Sequence, residues 1–404
     1  MLKKINVDDA RLGMYIHEIC GSWMDHPFWK KSFKLTAAGD LKTLKACGIR
    51  ELWIDTGRGL DVESGAAGLS QEEELQKVES ALQQAVSSRP ELEPRVSLQE
   101  EVERARKIHA RAKQEVISMF QEARMGKALQ MEQAADLADE INQSIARNAG
   151  ALLSLARLKN KDDYTYLHSV AVCALMIALG RQFGIEGDTL RELGVAGLLH
   201  DVGKMMIPDE VLNKPGRLTD QEFDIVKDHP LRGWEMLKMS PGVTDTALDV
   251  CRHHHERIDG KGYPDRISGE ALTFFARMGA VCDVYDAITS DRCYKKGWTP
   301  GESIRKMVEW KDGHFDDRVF QAFVKTVGIY PAGSLVRLRS GRLGVVIDQT
   351  EKSLLTPLVK VFFSSKAQAH IAHEVVDLTK GNDSIVNVED PVEWGFDLNQ
   401  MFGL

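Results

Sequence analysis

The feature that most constrains the fold is a helical pattern that begins at Leu98 and continues, with short interruptions, to about residue 328. Apolar residues recur at three- and four-residue steps with charged residues between them, as in amphipathic helices. These positions include Val102, Ala105, Ile108, Ala112, Val116 and Phe120, followed by Ala134, Leu137, Ile141, Ile145, Leu152 and Leu155. The pattern predicts a mostly α-helical protein whose polar signatures lie in short loops.

The helical stretch over residues 97–150 has two interpretations. Its apolar face can pack on the following domain, or it can form a parallel dimerisation helix with a second copy of the chain. We favour the first and predict a long helical connector here. A homodimer, formed through this connector or through the N-terminal domain, is the alternative.

Residues 1–62 predict a small α/β domain. Lys3–Val7, Met14–Ile19 and Arg50–Asp55 have strand composition, and Leu35–Gly48 has apolar positions at helical spacing. Residues 63–96 are rich in glycine, serine, glutamine and glutamate, which predicts a linker with one short helix over about Gln71–Ser87.

Residues 151–330 predict an all-helical domain, and the composition changes after Tyr330 and Pro331. Short β-type runs follow at Ser334–Leu338, Gly344–Asp348 and Leu358–Phe363. We therefore expect a small β-rich appendage over residues 331–404.

Charge and composition exclude several classes of protein. The formal net charge of −8 gives no global basic field for a nucleic-acid polymer, although local lysines and arginines can serve a small anion. The six cysteines form no CxxC pair, which indicates reduced thiols and not a zinc ribbon. The N-terminus lacks the apolar core of a signal peptide, and no uncharged apolar run reaches about 18 residues. We expect a cytoplasmic protein without a membrane span.

Histidines and aspartates concentrate in the central part of the chain. Of twelve histidines, six lie in this region: His168, His200, His229, His253, His254 and His255. A single histidine on a helix usually packs or faces solvent. Several histidines with nearby aspartates form the ligand set that Mn, Fe and Zn prefer.

The pair His200-Asp201 follows the apolar helical stretch Leu193–Leu199. Adjacent side chains on a helix point about 100 degrees apart, so a single metal ion cannot easily bind both. Two ions can, if Asp201 bridges them. Two cations about 3.5–4 Å apart can hold a bridging hydroxide as nucleophile and neutralise phosphate oxygens, which suits phosphodiester hydrolysis.

A stronger signal is the stretch from His254 to Pro264, which reads His-His-Glu-Arg-Ile-Asp-Gly-Lys-Gly-Tyr-Pro. Two adjacent histidines end a helical run, and a glycine-rich turn brings backbone amides and Lys261 towards one place. The glycines alone would indicate only silent turns. Directly behind His-His-Glu, they indicate a functional site.

Several motifs follow one another in order over about residues 155–328. They are His200-Asp-Val-Gly-Lys204, Leu212-Asn-Lys-Pro-Gly216, His229-Pro230, His254-His-Glu256, Asp259-Gly-Lys-Gly-Tyr-Pro264 and Asp283-Val-Tyr-Asp-Ala-Ile-Thr-Ser-Asp-Arg-Cys-Tyr-Lys295. Together they resemble the HD-GYP family, bacterial members of the HD phosphohydrolase superfamily that degrade cyclic di-GMP. The segment up to about residue 125 resembles a domain of unknown function often found before HD-GYP domains. The resemblance implies an all-helical HD-type core.

Carried over residue by residue, the resemblance implies a ligand set for two metal ions bridged by Asp201. The ligands would be His168, His200, Asp201, His229, His254, His255 and Asp283. Lys204 would contact a phosphate or protonate the leaving oxygen. The remaining expected substrate contacts are Tyr263, Asp286, Arg292 and Lys295, the last two lying three apart on one helical face. His253 has no counterpart among the ligands and is expected to be structural.

One departure concerns the number of metal ions. Some family members place a glutamate four residues before the histidine of the first core helix, where it joins a third metal. Tyr164 stands there in this chain, and tyrosine is a poor ligand for Fe or Mn beside so many imidazoles. We expect two ions, Fe or Mn, with Ni or Zn able to bind in vitro. A third ion with water or phosphate ligands is the alternative. Asp162 and Asp163 are expected to cap or hold the helix.

The resemblance implies a metal-dependent phosphodiesterase that opens cyclic di-GMP to linear pGpG, and to GMP if the linear product rebinds. A catalytically silent receptor of the same fold is an alternative, which the loss of a metal ligand would favour. A hydrolase acting on another cyclic dinucleotide or nucleoside phosphate is a second. A pure interaction module would leave the clustered histidines unexplained. Residues 1–125 show no aspartate-rich phosphoacceptor pocket, so no phosphorelay receiver is predicted.

Overall fold

In the computed structural model of the protein, the described residues are 2–20, 28, 32–47, 49–62, 69–70, 73–74, 96–156, 164–214, 216, 218–290, 297–348, 356–391, 393–396 and 398. Arg292, Lys295, Asp162, Asp163 and most of the helix predicted over residues 71–87 lie outside them. The predicted fold class is confirmed, because a helical core lies between an N-terminal sheet and a C-terminal sheet.

The N-terminal part is an antiparallel sheet with one helix. Its elements are β1 (Leu2–Asn6), β2 (Tyr15–Ile19), β3 (Phe33–Lys34), α1 (Ala38–Ala46), β4 (Glu51–Asp55) and β5 (Leu69–Ser70), with strand order β3-β2-β4-β1-β5. The predicted strands are confirmed. The helix begins later than predicted, because Leu35 is buried in extended backbone and its N–H donates to the Met14 carbonyl.

Helices form the centre of the molecule, as the apolar periodicity predicts. They are α2 (Leu98–Arg124), α3 (Met131–Ala156), α4 (Tyr164–Gln182), α5 (Gly187–Leu199), α6 (Asp209–Leu212), α7 (Asp220–Lys227), α8 (His229–Lys238), α9 (Asp245–His253), α10 (Phe274–Thr289), α11 (Pro300–His314) and α12 (Asp317–Val327). Capping boxes begin α2, α7 and α11, where a serine or threonine side chain and a glutamate satisfy free backbone N–H groups.

The apolar face of α2 is covered within the chain. All the apolar positions predicted on it, from Val102 to Phe120, belong to the same buried core as those of α3, α4 and α5. Next to this face the fully buried Glu101 carboxylate accepts hydrogen bonds from Arg147 and Ser144, which joins α2 to α3. This packing favours the connector interpretation over a parallel dimerisation helix.

The C-terminal part is a second antiparallel sheet. Its strands are β6 (Leu335–Leu338), β7 (Arg342–Asp348), β8 (Leu358–Ser364), β9 (Ala369–Asp377) and β10 (Ile385–Val388), in the order β10-β6-β7-β8-β9. The first three were predicted and are confirmed. Strands β9 and β10 were missed, because both are largely exposed and so lack a strong apolar alternation.

Helix α4 lies at the centre and is apolar around most of its circumference. Among the described residues it is the one helix long and apolar enough to cross a membrane by length and composition. Its most apolar window is 78% buried inside the protein, and core helices of this kind pass the same test. The burial of α4 also places His168, one of the expected metal ligands, inside the protein.

We predict that Gly197→Ala destabilises the protein, because α5 approaches the backbone of α4 at this residue. A Cβ atom at Gly197 would lie 2.7 Å from the Cα atom of Cys173. The expected loss is about 1–3 kcal/mol in the free energy of unfolding, measured by denaturant titration. The control is Gly39→Ala in the exposed first turn of α1, where nothing lies within 4 Å of the added atom. Equal losses in the two variants would contradict the prediction.

Candidate metal centre

The predicted ligands come from separate helices and meet in one buried place. His168 lies in α4, His200 and Asp201 follow α5, His229 begins α8, His254 and His255 follow α9, and Asp283 lies in α10. All of them are buried, with exposed fractions between 0% and 8%. Helix ends supply most of the site, because there the chain turns away and its side chains can point into the space between helices.

Close backbone packing brings two of these elements together. After Asp201 the chain forms a 3-10 turn, Val202–Met206, which lies against α8. A Cβ atom at Gly203 would lie 2.0 Å from the His229 carbonyl oxygen and 2.4 Å from the Gly233 nitrogen. Only glycine permits this approach, which holds His229 beside Asp201.

The ligand atoms fall into two groups, each with all atoms within 4.8 Å of one another. One group contains His168, His200 and Asp283, and the other contains Asp201, His229, His254 and His255. Several imidazoles face each other through the same nitrogen: His168 Nε2 lies 3.2 Å from His200 Nε2, and His229 Nε2 lies 3.3 Å from His254 Nε2. This convergence of nitrogens is typical of side chains that share an ion.

Asp201 lies between the two groups, with one carboxylate oxygen facing each. Its Oδ2 atom is 3.3 Å from His168 Nε2 and 3.4 Å from His200 Nε2. Its Oδ1 atom is 3.2 Å from His229 Nε2 and 3.7 Å from His254 Nε2. A carboxylate in this position can bind one cation through each oxygen.

Asp283 completes the first group and reaches towards the second. Its Oδ1 atom lies 2.9 Å from His168 Nε2 and 3.8 Å from His200 Nε2. Its Oδ2 atom lies 3.5 Å from His255 Nδ1. Two carboxylates, those of Asp201 and Asp283, therefore lie close to the first pair of histidines.

The other ring nitrogen of four histidines is held by the surrounding protein. His200 Nδ1 contacts the Gly197 carbonyl at 2.9 Å, His229 Nδ1 contacts the Val226 carbonyl at 2.6 Å, and His254 Nδ1 contacts the Cys251 carbonyl at 2.9 Å. His168 Nδ1 lies 2.6 Å from the Asp286 carboxylate. Such contacts fix the tautomer and leave Nε2 as the ligand atom.

Electrostatics differ between the two groups. Burial lowers the pKa of His200, but the carboxylates of Asp201 and Asp283 outweigh it and raise the pKa to about 10. Burial and the charge of His200 lower the pKa of His254 to about 3, and burial lowers the pKa of His229. The second group therefore keeps neutral imidazoles, the form that binds metal.

Buried polar atoms without a hydrogen-bond partner remain at the centre. Among the described residues, Asp201 Oδ1, His255 Nε2 and Asp283 Oδ2 are inaccessible to solvent and have no hydrogen-bond partner. Leaving such atoms unsatisfied is unfavourable, and a cation would satisfy all three. Together with the imidazole and carboxylate donors, these atoms fit a divalent metal site.

Lys204 and Asp286 occupy different positions around this centre. The Lys204 side chain is buried, and its Nζ atom forms an ion pair with Asp201 Oδ2. Asp286 was expected to contact substrate. It is buried behind His168, and the contact described above favours a role in orienting that ring. Arg292 and Lys295 lie outside the described residues.

The loop behind His-His-Glu packs directly on the second group. The Tyr263 ring lies 4.8 Å from the His255 ring, and the Tyr263–Pro264 peptide bond is cis. The Glu256 carboxylate accepts backbone hydrogen bonds from Asp265 at 2.6 Å and Arg266 at 2.8 Å, which closes the loop. Glu256 is part of the His-His-Glu motif, but its role in holding the loop was not predicted from the sequence.

Two further residues lie at the edge of the centre. Tyr164 stacks on His168, with ring centroids 5.7 Å apart and an interplanar angle of 9°. His253 contacts Asp249 at 2.8 Å and Asp265 at 3.2 Å, outside both ligand groups. His253 therefore belongs to the surroundings of the loop.

Two family models and several known proteins match the sequence of this chain. The family model described as HD domain matches residues 130–319, and a domain of unknown function, DUF3391, matches residues 2–134. The cyclic di-GMP phosphodiesterase PA4108 of Pseudomonas aeruginosa is 53% identical over 100% of this chain and 96% of its own length. The cyclic di-GMP phosphodiesterase response regulator RpfG of Xanthomonas campestris is 36% identical over 49% of this chain and 53% of its own.

A solved structure, Bd1817, an HDG"Y"P protein from Bdellovibrio bacteriovorus, is 18% identical to this chain. It covers 81% of this chain and 98% of its own, with a TM-score of 0.48. The family assignment rests on the sequence relatives, because the Pseudomonas protein aligns over nearly the full length of both chains. The chain belongs to the HD-GYP family of HD-domain proteins.

Proposed function

We propose that this protein is a metal-dependent phosphodiesterase that hydrolyses cyclic di-GMP. The observation that carries the proposal is the position of Asp201, whose carboxylate oxygens face two buried groups of histidines. Phosphodiester hydrolysis uses this arrangement. The substrate is proposed from the two relatives described above, which are named as cyclic di-GMP phosphodiesterases.

We propose that each ligand group holds one divalent cation and that Asp201 bridges the two. His168, His200 and Asp283 would bind the first ion, and His229, His254 and His255 would bind the second. When bound, two such cations lower the pKa of a shared water and neutralise the charge on the phosphate oxygens. The mixed imidazole and carboxylate set favours Fe or Mn, with Ni or Zn able to bind in vitro.

Other residues are assigned roles by their positions. Lys204 holds an ammonium group against Asp201, where it can contact a phosphate oxygen or give a proton to the leaving 3′ oxygen. Tyr263 forms a wall beside His255 and shapes the space for substrate. Arg292 and Lys295 are retained from the sequence as proposed contacts to the second phosphate or a guanine. The first product is pGpG, and GMP follows if pGpG rebinds.

The main alternative is a silent receptor that binds cyclic di-GMP without cleaving it. Such a receptor has no need of a complete ligand set, whereas each proposed ligand position here holds a histidine or aspartate that is buried at the centre. We also propose a cytoplasmic location, which agrees with the free thiols of the described cysteines.

We predict that Asp201→Ala abolishes turnover and lowers the bound metal, since the change removes the contact shared by both ligand groups. The protein is purified without chelator, its metals are measured, and it is incubated with cyclic di-GMP and Mn or Fe, with products separated by chromatography. Other cyclic dinucleotides in parallel reactions test selectivity. The matched control is Asp188→Ala, on the exposed first turn of α5.

Two outcomes would contradict the proposal. Turnover that survives in Asp201→Ala with metal content intact would rule out the bridging role. Tight binding of cyclic di-GMP by the metal-loaded wild type without any product would favour the silent receptor.

We predict that the wild-type protein binds two metal ions per chain and that Tyr164→Glu binds a third. Tyr164 stacks on the ring of His168, so a carboxylate there would lie beside the first ligand group. Elemental analysis of the loaded proteins measures the ratio. Tyr164→Gln is the control, because an amide of the same shape is a weaker ligand. A third tightly bound ion in the wild type would contradict this prediction.

We predict that Asp286→Ala weakens metal binding about 10- to 100-fold, because His168 loses the carboxylate that orients its ring. Asp286→Asn is expected to lose less, since the amide oxygen can still accept a hydrogen bond. Metal titration of the stripped protein measures the effect, and excess metal is expected to restore turnover. Unchanged metal affinity with a raised KM would instead support direct substrate contact.

A further inference from the structure

The N-terminal domain contacts the loop that follows the His-His-Glu motif. Arg50 lies immediately before β4, and its Nε atom is 2.9 Å from Oδ2 of Asp259, the aspartate that opens the Asp-Gly-Lys-Gly-Tyr-Pro motif. The Asp259 side chain is 4% exposed, so this carboxylate is buried between its partners. An ion pair thus joins two parts of the chain that are far apart in sequence.

Asp259 also organises its own loop. Arg257 donates to both carboxylate oxygens, at 3.1 and 3.0 Å, and the backbone N–H of Lys261 donates to Oδ1 at 3.1 Å. The carboxylate therefore fixes the turn from inside the loop, while Arg50 holds it from the N-terminal domain. Charge-assisted hydrogen bonds of this kind set geometry as well as adding stability.

A second contact places the same guanidinium at the end of α11. The NH1 atom of Arg50 donates to the Asp312 carbonyl at 3.0 Å. The next residue, Gly313, has a φ of +82°, and a Cβ atom there would lie 2.3 Å from NH1 of Arg50. The backbone N–H of Asp259 donates to the Gly313 carbonyl at 2.9 Å. Arg50 therefore sits where the end of α11 and the loop are joined.

The loop of Asp259 also packs against the segment that carries His255, one of the proposed metal ligands. A Cβ atom at Gly262 would lie 2.5 Å from both the Glu256 Cα atom and the His255 carbonyl oxygen, so the loop lies directly against the ligand segment. The backbone N–H of Tyr263 donates to the same His255 carbonyl at 3.2 Å. A shift of Asp259 would consequently move Tyr263 relative to His255.

The N-terminal domain is itself anchored on α11. Lys306 forms an ion pair with Glu18 at 2.9 Å, and Lys4 donates to the Glu309 carbonyl at 3.4 Å. Trp53 of β4 belongs to the same buried core as the helices. Because these contacts hold the sheet in place without Arg50, loss of the Arg50 side chain should leave the domain docked.

We propose that Arg50 is a positioning residue, through which the docked N-terminal domain holds the loop of Asp259 and Tyr263 in the arrangement needed to bind substrate. The domain of unknown function then acts on the reaction through one guanidinium, without a side chain in the metal centre. The proposal rests on the proposed function for its kinetic test only. A structural test of the loop is independent of the substrate.

The experiment compares full-length, metal-loaded wild type with Arg50→Ala and Arg50→Lys. Arg58→Ala is the matched control, because Arg58 lies in the same domain over the Tyr15 ring, 3.8 Å from its centroid. For Arg50→Ala we expect KM for cyclic di-GMP to rise about fivefold or more, with a smaller change in kcat and unchanged metal content. Arg50→Lys should recover part of the loss, since it keeps the charge but not both hydrogen bonds.

Hydrogen–deuterium exchange supplies the second measurement. Backbone amides over residues 258–266 should exchange faster in Arg50→Ala than in the wild type, while those of α4 and α5 stay protected. In Arg58→Ala the loop should exchange as in the wild type. These results are expected whether or not cyclic di-GMP is the substrate.

The proposal is overturned if Arg50→Ala keeps both the wild-type KM and the wild-type exchange of the loop. It is also overturned if Arg58→Ala changes the loop to the same extent, since the effect would then be a general loss of domain stability. If the wild type does not cleave cyclic di-GMP, the proposed function fails, and the exchange measurement alone decides the role of Arg50.

Discussion

The buried carboxylate of Asp201 constrains how the helices of this protein pack around the metal centre. It is fully buried, and a buried charge is stable only when it is paired. Burial would raise its pKa, yet the ammonium of Lys204 and the imidazole of His200 hold that pKa well below its usual range. The anion is therefore retained between two groups of histidines. Because the histidines come from separate helices, the packing of the helical core has to bring both groups to Asp201.

Helix ends and glycines bring the ligand groups together in different ways. Histidines at helix ends can point Nε2 inward, because carbonyls of the last helical turn engage Nδ1, as they do for His200 and His254. At Gly197 and Gly203, neighbouring backbones lie closer together than a side chain at these positions would allow. Apolar burial of α4 then fixes the position of His168. The same helices therefore build both the core and the site.

The N-terminal sheet is part of this construction. Its strands have their own small core, yet Trp53 and Cys20 join the larger helical core, and charged side chains tie the sheet to α11. Beside the end of α11, Arg50 contacts Asp259 directly, in the loop that carries Tyr263. A domain that supplies none of the proposed metal ligands can therefore act on the centre by holding the loop that borders it.

Apolar periodicity, the order of the motifs and the histidine and aspartate residues were readable from the chain alone, because they depend on residue type and spacing. They predicted the helical core and several strands, while the proposed ligands were implied by the resemblance of the motifs to the HD-GYP family. Other features depend on contacts between distant segments: the division of ligands between the two oxygens of Asp201, the position of Asp286 behind His168, and the pairing of Arg50 with Asp259. These features are decided by the packing of the helices against each other and against the N-terminal sheet. The local sequence does not specify which distant segment lies alongside.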